Sequence, residues 1–144
     1  RSDAALPGLD LTDLDLILID GAHGFPTPFI DFHYTAGRLK VGGSLIIDDT
    51  QLWTGHVLKA FLSQEPEWSL ETDFAPRSVV FRKIAPYESG KNETFQPYVM
   101  AETARIARRQ RWRLAVGRCI PGPVSALIRR ALFTASRCEP DTRY

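Results

Sequence analysis

Leu14-Asp15-Leu16-Ile17-Leu18-Ile19-Asp20-Gly21-Ala22-His23 is the stretch that decides the fold. After Asp15 the run is nearly all apolar and rich in β-branched residues. A short run of this kind reads as a strand buried on both faces, as in a parallel sheet. It closes in the loop Asp20-Gly21-Ala22-His23-Gly24. Thr27-Pro28 then predicts an N-cap followed by proline at the first helical position. That helix is expected to run to about Lys40, with Ile30, Tyr34 and Ala36 among its apolar residues, and to stop at Gly42-Gly43. Ser44-Leu45-Ile46-Ile47 predicts a second buried strand, ended by Asp48-Asp49-Thr50. A second helix over roughly 53–63 follows, with Val57, Leu58, Phe61 and Leu62 on one apolar face. Strand–helix–strand–helix is the unit of an open α/β sheet.

The pattern then changes. Trp68 to Phe74 and Ser78 to Ile84 are two extended runs separated only by Ala75-Pro76-Arg77. A parallel return needs a crossover of a dozen or more residues, so this pair must be an antiparallel hairpin. Pro86 through Pro97 is polar and rich in breakers and reads as a linker. Residues 99–116 predict an arginine-heavy helix. Residues 123–137 predict another, with Val124, Leu127, Ile128, Ala131, Leu132 and Ala135 along one stripe. The expected organisation is therefore an α/β unit over 1–85, a linker over 86–98 and a helical extension over 99–144.

Charge follows the same division. The 144 residues carry 18 Lys+Arg and 17 Asp+Glu, a formal charge of +1. Residues 1–100 have a balance of −6, and residues 101–144 a balance of +7 in which every basic residue is arginine. A basic tail of this kind can hold nucleic acid or an anionic surface, or its arginines can be solvated or paired with the acidic body. With 44% hydrophobic residues the chain can build a core, which excludes wholesale disorder. No apolar run reaches the roughly 18–20 residues of a membrane span. Two cysteines, Cys119 and Cys138, lack metal-ligand spacing and fit a reducing, cytoplasmic setting.

The candidate chemistry lies at the strand ends. Asp20 follows the first strand; Asp48 and Asp49 follow the second. Ligands of open α/β sheets bind outside the carboxyl ends of the strands. Hard divalent cations take carboxylate oxygens, and Mg²⁺ accepts one or two of them together with water and substrate oxygens. Consecutive strand residues point to opposite faces, so Asp48 and Asp49 converge only if the chain turns there. Equally, Asp49 or Thr50 is placed to cap the following helix. His23 is either a general base beside the strand end or a hydrogen-bonding loop residue. His33 and His56 fall in helical patterns and read as surface or packing residues. Trp53, Trp68 and Trp112 read as core or helix-docking groups rather than a substrate cage. A phosphohydrolase reading lacks a nucleophile with a phosphate cradle in Asp20-Gly21-Ala22-His23.

Leu16-Ile17-Leu18-Ile19-Asp20-Gly21-Ala22-His23 and Leu39-Lys40-Val41-Gly42-Gly43-Ser44-Leu45-Ile46-Ile47-Asp48-Asp49-Thr50 together resemble the second half of a class I (Rossmann-like) S-adenosylmethionine-dependent methyltransferase. The Asp-Gly-x-His loop and the Gly-Gly…Asp-Asp-Thr strand are similar to those of the sugar and small-molecule O-methyltransferases. The likeness covers about residues 9–85 and includes the hairpin, since that fold ends its parallel sheet with an antiparallel pair. It implies a partial Rossmann-like sheet and methyl transfer to a hydroxyl of a small molecule or sugar. It also implies Asp20, Asp48 and Asp49 as ligands of Mg²⁺, His23 as base, and Asp20, Gly21 and Ala22 near the methionine part of S-adenosylmethionine. One departure stands out. The family's glycine-rich first turn and ribose-binding acid have no counterpart, for the chain holds no Gly-x-Gly pair. With Arg1 in the first position, the sequence is expected to be the C-terminal half of such an enzyme, and to bind the cofactor poorly and be inactive by itself. The alternative function is a binding module built on the arginine-rich segment.

Overall fold

A computed structural model describes residues 1–87 and 96–119. Most of the expected linker and the expected helix over 123–137 lie outside the described residues. The chain divides into two units, Arg1–Ala101 and Glu102–Tyr144.

The first unit is a mixed α/β layer. A short helix α1 (Ser2–Ala5) precedes β1 (Leu14–Ile19), α2 (Thr27–Thr35), β2 (Leu39–Ile47), α3 (Trp53–Leu62), β3 (Trp68–Phe74) and β4 (Ser78–Lys83). The sheet order is β1-β2-β4-β3. β1 and β2 run parallel, β4 pairs antiparallel with β2, and β3 closes the far edge against β4. The parallel pair, the helix over 53–62 and the hairpin stand where the sequence pattern puts them.

Register sorts the apolar residues onto two faces. Ile17 pairs with Leu45 and Leu45 with Phe81; Ile19 pairs with Ile47 and Ile47 with Val79. All six are buried, together with Leu39, Leu58, Leu62 and Trp68. Phe32 of α2 sits at the centre, its ring centroid 6.0 Å from Phe61, 5.9 Å from Trp68 and 5.4 Å from Tyr87. Burial beside Glu65 and Glu67 pushes the Tyr87 hydroxyl up to about 12. The alternate residues of β1 face the other way, and Leu16 and Leu18 are 55% and 57% exposed. β1 is thus covered on one face among the described residues, not on both as its apolar run predicts. An unbroken apolar run records residue type, whereas burial depends on what packs over each face.

Two local expectations are corrected. Thr27 is the first residue of α2 rather than its cap; Pro26 holds the cap position and no side chain caps the helix. The helix ends at Thr35, and after one 3₁₀ turn (Ala36–Arg38) the chain is already extended from Leu39. Gly42-Gly43 therefore lies inside β2, where the β1–β2 register shifts between Leu14 and Leu16. Gly42 has φ +87°, and a Cβ on Gly43 would meet the Leu39 side chain at 2.7 Å. These glycines serve a strand irregularity, not a helix stop.

The early end of α2 has a partner across the fold. Lys83, 3% exposed, sends its ammonium under the sheet to donate to the carbonyls of Ala36 (2.9 Å) and Leu39 (2.6 Å). Burial pushes the Lys83 pKa down, and three carbonyls, counting Gly37 at 3.4 Å, compensate the ammonium.

Helix α4 (Pro97–Cys119) begins in the first unit, where Tyr98 packs edge-on to Phe61 at 6.1 Å. Further along, Arg105, Arg108, Arg109, Arg111 and Arg113 are exposed, and Arg105 pairs with Glu102 at 2.5 Å. No described helix is long and apolar enough to cross a membrane.

Lys83→Met leaves those carbonyls without their donor. It is expected to lower unfolding free energy by about 1–3 kcal/mol in urea titrations, the range for an unsatisfied buried group. A variant as stable as the parent would deny Lys83 this anchoring role.

Candidate functional site

The parallel pair delivers two loops to one end of the sheet, one from β1 and one from β2. Asp48 N–H still bonds the Ile19 carbonyl at 3.0 Å, so the two strand ends leave the sheet together. At Asp49 the backbone turns to φ +52°. A left-handed conformation is uncommon for a residue with a side chain and marks the turn that two adjacent aspartates need in order to diverge from strand geometry.

Neighbouring groups hold this turn from three directions. Thr50 N–H bonds the Arg77 carbonyl at 2.7 Å, and its hydroxyl donates to the Pro76 carbonyl at 2.9 Å. Leu52 N–H bonds the Asp49 carbonyl at 2.9 Å. Gly55 in α3 lies so close that a Cβ there would meet the Asp49 carbonyl oxygen at 2.7 Å, so only glycine lets the helix approach. Leu52 occupies the cap position of α3, and no side chain caps it. The carboxylate of Asp49 and the hydroxyl of Thr50 are therefore not used as helix caps.

The two adjacent carboxylates take different surroundings. Asp48 Oδ1 accepts from the Ser78 hydroxyl at 2.5 Å and lies 3.5 Å from Arg77 Nε. The Ser78 hydrogen bond, then the Asp49 backbone N–H and the Arg77 guanidinium, hold the Asp48 carboxyl below its ordinary value of 3.8, outweighing desolvation. Asp49 Oδ2 instead meets His23 Nε2 at 2.9 Å, while its Oδ1 accepts from Gln51 at 2.8 Å and lies 3.6 Å from Arg77 Nε. The His23 loop is fixed from α3, for the Thr54 hydroxyl donates to the His23 carbonyl at 2.7 Å.

Asp20, His23 and Asp49 come together: each offers a ligand atom, and these atoms all lie within 4.8 Å of one another. Two carboxylate oxygens suit a hard divalent cation, and an imidazole nitrogen adds a ligand acceptable to Mn²⁺, Fe²⁺ or Zn²⁺. The donor set fits a divalent ion. Of the residues named from sequence, Asp20, Asp49 and His23 share this group, while Asp48 is turned toward Ser78 and Arg77. His33 and His56 are exposed on their helices, as their patterns predict, and Trp68 is core. Trp53 is largely exposed, though its ring touches Phe25 and Phe29, and Trp112 is exposed.

Beside Asp20 and Gly21 a cleft of about 430 Å³ is lined in part by Ile17, Ile19, Asp31 and Thr35. Asp31 Oδ1 is buried there with no hydrogen-bond partner among the described residues, and Gly21 lies so near that a Cβ would be 3.4 Å from Asp31 Oδ2. A buried carboxylate oxygen without a partner beside an open cleft suits a ligand that donates a hydrogen bond. Asp31 gave no sequence signal, since a lone acid in a helix ordinarily faces water. Ala22 lines a separate cleft with Pro26, Thr27 and Ile30. Arg77 and Ser78 were equally unmarked, because their relation to Asp48 spans about 30 residues.

Comparison with protein-family models finds no match to this chain, and comparison with curated proteins finds none either.

The Asp48 carboxyl is stabilised as the anion in the folded state. Its contribution to stability is present above the ordinary value of 3.8 and is lost as pH falls through the lower folded value. In Ser78→Ala the largest cause is gone. The carboxyl, followed by ¹³C NMR titration, is expected to move up toward 3.8, and acid unfolding to begin at higher pH. An unmoved titration would deny Ser78 this role.

Proposed function

We propose that this chain carries the acceptor-side groups of an S-adenosylmethionine-dependent O-methyltransferase acting on a hydroxyl of a small molecule or sugar. The observation that carries the reading is the meeting of Asp20, His23 and Asp49 at the carboxyl ends of adjacent parallel strands. The sheet around them continues into an antiparallel hairpin, as the resemblance implies. S-adenosylmethionine would supply an electrophilic methyl group, and its amino group, a hydrogen-bond donor, suits the cleft beside Asp20, Gly21 and the unpartnered Asp31 oxygen.

His23 does the proton chemistry in this reading. With Nε2 donating to Asp49, the basic nitrogen of the neutral ring is Nδ1, which takes the hydroxyl proton. Asp49 orients the imidazole and stabilises the imidazolium that forms, the role of the carboxylate in other acid–histidine pairs. Asp20 and Asp49 would hold a divalent cation such as Mg²⁺, whose chemistry is to lower the hydroxyl pKa and orient the oxygen. Arg77 balances part of the negative charge that Asp48 and Asp49 bring together.

The test is methyl transfer from labelled S-adenosylmethionine to a panel of hydroxylated acceptors by the natural protein that carries this sequence. Asp49→Asn and His23→Ala are each expected to lower kcat/KM by about 10²–10⁴-fold, the usual contribution of a positioned base. Full activity in either variant overturns the reading. Activity unaffected by chelation leaves proton removal to His23 and eliminates the cation.

A second reading rests on the exposed arginines of α4, whose array of guanidinium groups with exposed Trp112 suits a polyanion such as nucleic acid or an anionic surface. Binding that weakens steeply with salt and vanishes on deleting residues 101–144 is its expected signature. Salt-independent binding would remove it.

A further inference from the structure

Helix α4 carries an array of groups of its own, apart from the strand ends. Arg108, Arg109, Trp112 and Arg113 fall at i, i+1, i+4 and i+5. At about 100° per residue these four positions share an arc of about 140°, so they lie on one face. Arg108 and Arg109, four and three residues before Trp112, are its neighbours along the helix surface. All four side chains are exposed, Trp112 at 67%. Arg105 stands one turn earlier on the same face, paired with Glu102. Arg108, Arg109 and Arg113 make no ion pair among the described residues, and Trp112 makes no ring contact there. An indole is thus presented to water in a row of guanidiniums whose charge nothing described neutralises.

We propose that this face of α4 binds single-stranded nucleic acid, with its arginines on the phosphates and Trp112 stacked on a base. The inference deepens the polyanion reading of α4 and rests on it for the charge; the stacked base is what it adds. Arginine suits phosphate because its planar fork donates two hydrogen bonds at once. Every base offers a π-face, so one exposed indole can stack on a strand without reading its sequence. A duplex keeps its bases stacked on one another, and an indole has a single N–H with which to address their edges. A single strand can splay a base out onto an aromatic ring. An anionic membrane is the poorer fit, because a helix lying in a bilayer surface buries a broad apolar face opposite its charges. Outside the basic arc of α4, Ile106 and Leu114 are separated by Gln110, and Arg111 lies three residues from Leu114 on that side.

The experiment measures binding of the full 144-residue chain to a labelled oligothymidylate of about a dozen nucleotides. The comparators are an abasic strand and a duplex of the same length, and phosphatidylcholine vesicles with about one-third phosphatidylserine. The oligothymidylate is expected to bind most tightly. Arg108→Gln and Arg113→Gln should each weaken both single strands and lower the slope of log K against log salt by about 0.7. Trp112→Ala should weaken the oligothymidylate about tenfold while leaving its salt slope and the abasic strand unchanged, and Trp112→Phe should recover most of the loss. These side chains are exposed, so circular dichroism should show the parent's helix content in every variant. No loss in Trp112→Ala, or an equal loss on the abasic strand, overturns the stacking, while persisting salt-dependent binding upholds the polyanion reading. Duplex or vesicles bound as tightly as the oligothymidylate also overturn the proposal. Salt-independent binding, or none, removes both.

Discussion

The turn at Asp49 is the constraint on which the site depends. Its left-handed backbone is unfavourable for a residue with a side chain, and the surrounding structure must hold it there. Thr50 does so from one side through the Arg77 and Pro76 carbonyls of the hairpin turn. Gly55 does so from the other, by letting α3 press against the Asp49 carbonyl where any side chain would collide. Parallel pair, hairpin and helix therefore meet at one residue, and the direction of its carboxylate follows from all three.

That single dihedral explains why two adjacent aspartates do different things. Asp48 is still in register with the sheet and meets Ser78 and Arg77, which keep it ionised. Asp49, past the turn, meets His23 from the neighbouring strand end. Asp48 thus takes the Ser78 hydroxyl, Asp49 takes His23 and Gln51, and the two share the Arg77 guanidinium at 3.5 and 3.6 Å.

Much of this was legible in the sequence. Short apolar runs gave the strands, the three-residue Ala75-Pro76-Arg77 connection required an antiparallel hairpin, and the i, i+4 spacing of Leu58 and Leu62 gave the buried face of α3. Strand-end aspartates pointed to one end of the sheet. What failed had a common cause. Gly42-Gly43 reads as a helix stop because local propensity cannot see the β1 partner that turns it into a strand irregularity. Phe32 carried no special signal, yet its position between Phe61, Trp68 and Tyr87 makes it the centre of the core. Trp53 reads as core by residue type, but it lies on the side of α3 opposite Leu58 and Leu62 and stays in water.

The sequence by itself determined the order of elements, the parallel-then-antiparallel sheet and the end of that sheet at which acidic groups gather. These follow from local periodicity and connection length, which are properties of neighbouring residues. Tertiary structure alone decided which aspartate faces His23, which one faces Ser78, and which aromatic rings are buried and which exposed. Those outcomes depend on partners 26 to 31 residues away, such as Thr50 with Arg77 and Pro76, Ser78 with Asp48 and Thr54 with His23. A side chain's direction at a strand end is set by such distant contacts acting on one or two backbone dihedrals, and no local pattern encodes them.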